Sequence, residues 1–329
     1  MRLTRCMFTH VIGAVFSLLA FAPLSAFAQA PPYPTRPIKL IVPFPAGGTS
    51  DVLSRAMARR MEEPLGQSVI IENVSGADGS IGIGRFAVAP PDGYTLGLGQ
   101  WGTYVVNGAM YKLSYDVTTF EPIALVTRTP LVLYANKSFS PRDIHELISW
   151  MKAHPGEANH GNATAGLHAL AALFQKETGT KLHLIPYRGE APATQDLIAG
   201  IIQLMWNSSY AIVSQVNTGN LKAYVTAAKE RLKMAPNIPT VAEAGYPGLT
   251  SESWYGFFAP HGTPSDVIAK LNHATMVALA DTTTRQRIEQ MGLDFFSPQE
   301  QTPAVLGERL RADMDKWWPI IKEANIRAE

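Results

Sequence analysis

The stretch Lys-Leu-Ile-Val-Pro-Phe-Pro-Ala-Gly-Gly-Thr-Ser-Asp, from Lys39 to Asp51, constrains what this chain can fold into more than any other. Leu40, Ile41 and Val42 form a short apolar run of the kind that fills a buried strand. Pro43 and Pro45 end that strand, because proline donates nothing to a sheet ladder. Gly47 and Gly48 permit a tight turn with bare backbone N–H groups. Thr49 or Ser50 can cap a helix whose first turn holds Asp51, and Val52, Leu53, Ala56 and Met57 continue it at helical spacing. A strand, turn and helix in this order bring free N–H groups and a positive dipole end to one point, which suits an anion. An isolated Gly-Gly is more often an ordinary strand-to-helix turn, so the surrounding chain must decide.

The N-terminus carries an address. Arg2 and Arg5 precede an apolar run from Val11 to Ala22, and Ala26-Phe-Ala28 is a small-x-small cleavage pattern before Gln29. This is the pattern of a secretory signal over residues 1–28, too short for a comfortable membrane span. The single cysteine, Cys6, precedes the apolar run, whereas a lipidated cysteine would follow it. The remaining chain of roughly 300 residues exceeds the size at which one core suffices, so two domains are expected. Without Arg2 and Arg5 it has 26 basic against 27 acidic residues. No basic face is implied, and nucleic acid is not an expected partner. The expectation is a soluble, exported monomer.

Strand-like and helix-like segments then alternate. Val69–Ile71 is a strand, and Glu72-Asn73 leads through Gly76, Gly79 and Gly82 into a helix over Arg85–Ala89. Pro90-Pro-Asp-Gly93 is a turn, Tyr94–Leu98 a strand, and Gly99–Thr103 a loop at that strand's C-terminal end. Such alternation predicts a mostly parallel, helix-covered sheet, whose C-terminal strand edge is where ligands bind. Ile123–Val126 and Leu131–Tyr134 read as two strands split by Thr127–Pro130, and 159–164 as a polar turn. A second α/β set has helices over 141–153, 165–176 and 191–199, with strands over 182–186, 201–206 and 221–227. An aromatic strand over 253–260 and helices over 265–279 and 303–324 finish the chain. The order predicts two lobes, 29–128 with 229–329 and 129–228, with a cleft between them.

Six motifs in order resemble those of the extracytoplasmic solute receptors of the tripartite tricarboxylate transporter group, the Bug family. They are 37–51, Glu72-Asn73 with the glycines after it, Ala89–Leu96, Pro186–Gly189, Pro239–Gly245 and Trp254–Pro264. The resemblance implies an α/β, type II periplasmic-binding-protein fold, two lobes joined by crossing strands and closing on a ligand in the periplasm. It implies a small organic acid as ligand and membrane permease subunits of a tripartite tricarboxylate-type transporter as partner; with nucleophile and metal motifs missing, no cofactor, no metal and no catalysis are expected. A carboxylate would rest on N–H groups of the loop Phe44, Ala46, Gly47, Gly48, Thr49 and Ser50, beside Asp51. The loop of the other lobe, with Asn162, Thr164 and His168, would supply the rest, and Tyr187, Arg188 and Gly189 lie in a further motif.

Two departures from the family pattern stand out. The loop Gly161–His168 is shorter and less rich in glycine and serine. At Asn207 the family usually has Asp; Asn can donate to a carboxylate or hydroxyl, where Asp favours an ammonium or a bound water. Trp206 and Asn207 are therefore expected to help choose the acid.

Rival classes find less support. There is no Gly-x-Ser-x-Gly elbow and no His-Glu-x-x-His pair. Ser50, His168 and Asp196 could be imagined as a triad, but nothing positions them, and His154, His160 and His168 fit no metal spacing. Gly82-Ile-Gly84 lacks the third glycine of a dinucleotide loop. A sensor subunit presenting its ligand to a signalling protein would have the same site. Trp101, Tyr104, Trp206 and Tyr210 follow strand ends and read equally as pocket walls or as packing, and Trp101 and Thr103 of the loop Gly99–Thr103 are candidate ligand contacts. Asp51 reads as a partner of ligand-bound water or of its helix dipole, and His168 as a ligand contact or a capping residue. Trp254, Trp317 and Trp318 read as core.

Overall fold

A computed structural model describes residues 33–187, 190–208 and 214–326. The signal-like segment 1–28, Arg188, Gly189 and Tyr210 lie outside the described residues. From Pro34 onward the chain forms one compact unit.

β1 (Ile38–Val42) is buried except at Lys39 and pairs in parallel with β2 (Val69–Asn73) and β3 (Thr95–Gln100). Strands buried on both faces are apolar throughout, which is why Leu-Ile-Val marked this one. α1 (Thr49–Leu65) follows β1 and packs on α7 (Ser265–Ala280), as two amphipathic helices covering one sheet face. α2 (Ser80–Ala87) follows β2. β3 then pairs antiparallel with β9 (Glu252–Ala259).

β4 (Glu121–Asn136) joins this half to the next. Its first part pairs antiparallel with β9, from Glu121 opposite Ala259 to Pro130 opposite Glu252. From Leu131 it pairs with β7 (Leu204–Ser208) and β8 (Leu221–Thr226). The two strands expected on either side of Thr127–Pro130 are therefore one. Pro130 brings no N–H to the ladder and falls where β4 changes partners, a position that needs no donor.

In the second half α4 (Ile144–Ala153) is capped by Asp143, and β5 (Asn159–Asn162) lies between β6 (His183–Pro186) and β7 in a parallel arrangement. The polar turn expected over 159–164 is thus a strand as far as Asn162, because sheet pairing on both sides overrides its polar composition. α5 (Ala165–Thr178) follows β5, and α6 (Glu190–Ala199) follows β6. α8 (Thr282–Gln290), capped by Asp281, has no counterpart in the sequence reading. α9 (Pro303–Glu323) packs on both β4 and α5, so it touches both halves. Where β4 and β9 run together, Arg128 donates to Asp294 at 3.0 Å and to Glu252 at 3.4 Å, and Arg309 of α9 reaches Glu252 and Asp313. Trp254 completes the network by donating from Nε1 to Asp313 at 2.7 Å.

Candidate functional site

A cavity of about 950 Å³ is lined from both halves of the sheet. Among the residues expected at the site, Phe44, Thr49, Trp101, Thr103, Asn162, Thr164, His168 and Tyr187 line it. Ala46, Gly47, Gly48, Ser50, Asp51, Trp206 and Asn207 are not in the lining.

The turn before α1 is built from within. Gly47 has φ +86°, a conformation that side chains resist, and its N–H donates to Asp51 Oδ2 at 2.9 Å. Arg55 Nε donates to the same oxygen at 3.0 Å, and Asn73 Nδ2 donates to Phe44 O at 3.0 Å. Burial raises the Asp51 carboxyl, but bonds from Arg55, Gly47 and Asn73 outweigh it and hold the group below the ordinary carboxylate value. The motif acids and amides thus brace the loop: Asp51 occupies one N–H that had been assigned to a ligand. Neither Thr49 nor Ser50 caps the helix. Gly48 stands at the cap with no side-chain bond, and Ser50 bonds the Tyr255 side chain instead. The N–H groups of the first turn, Thr49 to Asp51, have no partner within the helix. Thr49 places that end of α1 at the cavity.

The opposite wall is the start of α5. Thr164 caps it, accepting from Leu167 N at 3.3 Å, and residues Ala165 to His168 line the cavity behind it. Trp101 lies against this turn and against Trp317, with ring centroids 5.1 Å apart and edges crossed. Its Nε1 is buried with no acceptor among the described residues. The loop expected over Gly99–Thr103 is absent: β3 runs to Gln100, and a single wide turn, Gly102–Val106, leads into α3 (Asn107–Met110). Such turns recur at functional sites because they re-aim side chains. Tyr104 points into the core, stacked on Phe258 at 4.6 Å.

Trp206 and Asn207 are both fully buried, correcting their expected place at the cleft. Trp206 packs edge-on against Phe174, while Asn207 accepts from Ser208 N at 2.7 Å and donates to Thr194 at 3.4 Å. β7 continues through both residues to Ser208, and it is Ser208 that lines the cavity. Tyr187 donates to Asp196 at 2.7 Å; burial first, then this bond, push the phenol up to about 12. Asp196 is thereby engaged away from Ser50 and His168. His154 stacks on Trp150, and His160 is enclosed in the second half.

Sequence reasoning missed Asp78, Tyr111, Glu190, Ser253 and Tyr255, which also line the cavity. Tyr255 lies inside the motif Trp254–Pro264 and Glu190 directly follows Pro186–Gly189, so both places were a usable signal. Asp78 adopts a left-handed conformation at φ +47° and accepts from Tyr111 at 3.0 Å, which nothing local announces. Burial raises the Glu190 carboxyl above its ordinary value. Among the described residues the lining contains no Lys and no Arg. Among the described residues the lining offers neutral donors, His168, the N-terminal ends of α1 and α5, and the carboxyls of Asp78 and Glu190.

Two α/β halves joined by long strands, with such a cavity between them, define a solute-binding receptor of the type II periplasmic kind, not an enzyme. The family model described as tripartite tricarboxylate transporter family receptor matches residues 53–326, and the chain belongs to that family. BugT of Bordetella pertussis is 32% identical over 324 residues, covering 97% of this chain and 98% of BugT. The structure of MatC from Rhodopseudomonas palustris with bound malate is similar at a TM-score of 0.74 and 35% identity, covering 88% of this chain and 100% of that one. A second R. palustris protein, with adipate, is similar at 0.75 and 31%, covering 90% and 99%.

Proposed function

We propose that this receptor captures a small organic acid in the 950 Å³ cavity and delivers it to membrane permease subunits. The observation that carries the reading is the convergence of two helix N-termini, one from each half, on one cavity: α1 at Thr49 and α5 at Thr164 to Gly166. Each offers unpaired N–H groups and a positive dipole end, and a carboxylate satisfies both. The malate and adipate of the two R. palustris structures are dicarboxylates, which supports the same class of ligand here. In this reading the lobes are 129–228 and the combination of 29–128 with 229–329, closing about β4 and β9. Export by a signal over residues 1–28 to the periplasm belongs to the same proposal.

A thermal-shift panel of carboxylic acids tests it, with malate and adipate beside neutral amides and amino acids. A ligand that binds only the folded state must raise the melting temperature with concentration. The expected result is a rise with one or more acids and recovery of the acid unaltered. Turnover of the acid, or no rise across the acids, overturns the reading.

A further inference from the structure

His160 lies on β5, fully buried and outside the cavity lining, yet it is tied at both ring nitrogens. The backbone N–H of Trp206 donates to Nε2 at 3.1 Å, and Nδ1 lies 3.0 Å from Asn162 Oδ1. A backbone N–H can only donate, so Nε2 must be the bare, accepting nitrogen. A neutral imidazole with an accepting Nε2 carries its proton on Nδ1. That proton finds its acceptor in the Asn162 side-chain carbonyl oxygen at 3.0 Å, beside the His160 backbone, so Asn162 turns that oxygen to the ring and its NH₂ group away. Trp206 cannot shift to release the arrangement, because it is paired with Leu133 in the β4–β7 ladder.

Asn162 is at the end of β5 and lines the cavity, and its own backbone oxygen accepts from Tyr187 N at 2.8 Å. Its Nδ2 makes no hydrogen bond among the described residues. We propose that His160 is a positioning residue that locks the Asn162 amide with its NH₂ group toward the cavity. This wall then favours an acceptor-only group, such as a carboxylate, over an ammonium. An unlocked amide could present either end, so the lock turns a permissive residue into a selective one. The chain of cause runs from the sheet to the tautomer, from the tautomer to the amide, and from the amide to the ligand. Burial first of all, then the nearby His168, keep the imidazole neutral down to about pH 4.

The inference rests on the organic-acid reading for its consequence but not for its geometry, and two measurements separate them. ¹⁵N NMR of the wild-type protein at pH 7 reads the tautomer without a ligand. A proton on Nδ1 and an accepting Nε2 are expected, and an Nε2–H tautomer or an imidazolium overturns the lock. Affinities for malate and adipate read the consequence. His160→Asn keeps a donor near the place of Nδ1 and should hold affinity within about threefold, while His160→Phe should lose about tenfold, the scale of one charge-assisted hydrogen bond. In an Asn162→Ala background His160→Phe should add nothing, whereas additive losses overturn the proposal by giving His160 a structural role alone. If the wild type binds no acid, the receptor reading fails, and the NMR result decides the lock. It decides equally if His160→Phe does not fold.

Discussion

A Cβ on Gly166 would sit 2.4 Å from Cζ3 of Trp101, so the first turn of α5 rests on the indole because residue 166 has no side chain. The contact joins a residue that follows β3 to a helix that follows β5, and so spans the two halves of the sheet. Trp101 is 3% exposed and is backed on one side by Trp317. Gly166→Ala should therefore move the α5 turn off the indole, at a cost of about 1–3 kcal/mol from overpacking. Denaturant titration should show the loss, and tryptophan emission should shift to the red as water reaches the ring. Unchanged stability and emission would mean that the turn and the indole are not in contact.

The two glycines of the β1–α1 turn should separate cleanly. Gly47 is left-handed at φ +86°, with open space where a Cβ would go, so its requirement is conformational; Gly48 is at φ −77°, where any residue fits. Gly47→Ala should cost about 1 kcal/mol or more, and Gly48→Ala less than about 0.5 kcal/mol. Equal effects in chemical unfolding would contradict this account of the turn.

His160 should impose a pH dependence on stability. Its ring is pushed down from 6.5 to about 4, chiefly by burial. Between those values the unfolded chain takes up a proton that the native ring refuses. The contribution is complete above pH 6.5 and is lost as pH falls to about 4, amounting to about 3 kcal/mol. Melting curves at pH 7 and pH 4.5 should show the slope, and His160→Asn should flatten it relative to wild type. Parallel slopes in the two proteins would remove His160 as the source.

Asn207→Asp should behave as a buried substitution. Asn207 is fully enclosed, with its amide between Ser208 and Thr194. A carboxylate there should lower stability by about 1–3 kcal/mol without reordering ligand preferences. Calorimetry against a panel of acids, compared with the melting temperature, checks this. A changed order of ligands at unchanged stability would return Asn207 to the site.

Glu190 places a carboxyl on a cavity that has no Lys or Arg among its described lining residues. Like charges in a poorly screened space repel, so Glu190→Gln should tighten binding of a dicarboxylate probe about three- to tenfold at pH 8. Because burial raises this carboxyl, the gain should shrink as pH falls and the wild-type side chain takes up its proton. An affinity that is the same in both proteins across that range would remove the side chain from the ligand's surroundings.

The sequence by itself determined the strand of Leu40 to Val42, the turn at Gly47 and Gly48, the helix after it, and the order of the six motifs. These are local properties: an apolar run, a residue free of φ restriction and a helical period are written in neighbouring positions. The exposed donors at the start of α1 were legible for the same reason, since a helix N-terminus exposes them whatever surrounds it, whereas a ligand role for the start of α5 came only with the family resemblance. Only the tertiary structure decided where side chains point. β7 runs two residues past Trp206, and its pairing register with β4 places Trp206 and Asn207 in the interior and brings Ser208 to the cavity. Strand register is set by partners far away in the chain, so a one-residue difference reverses the face that a side chain occupies. The bond from Gly47 to Asp51, the bare face of Gly166 under Trp101, and the link from Trp206 through His160 to Asn162 are of the same kind. The last two need backbones brought together by the fold, which no single stretch of sequence contains; the Gly47–Asp51 bond lies within one stretch, but only the folded turn assigns that N–H to Asp51.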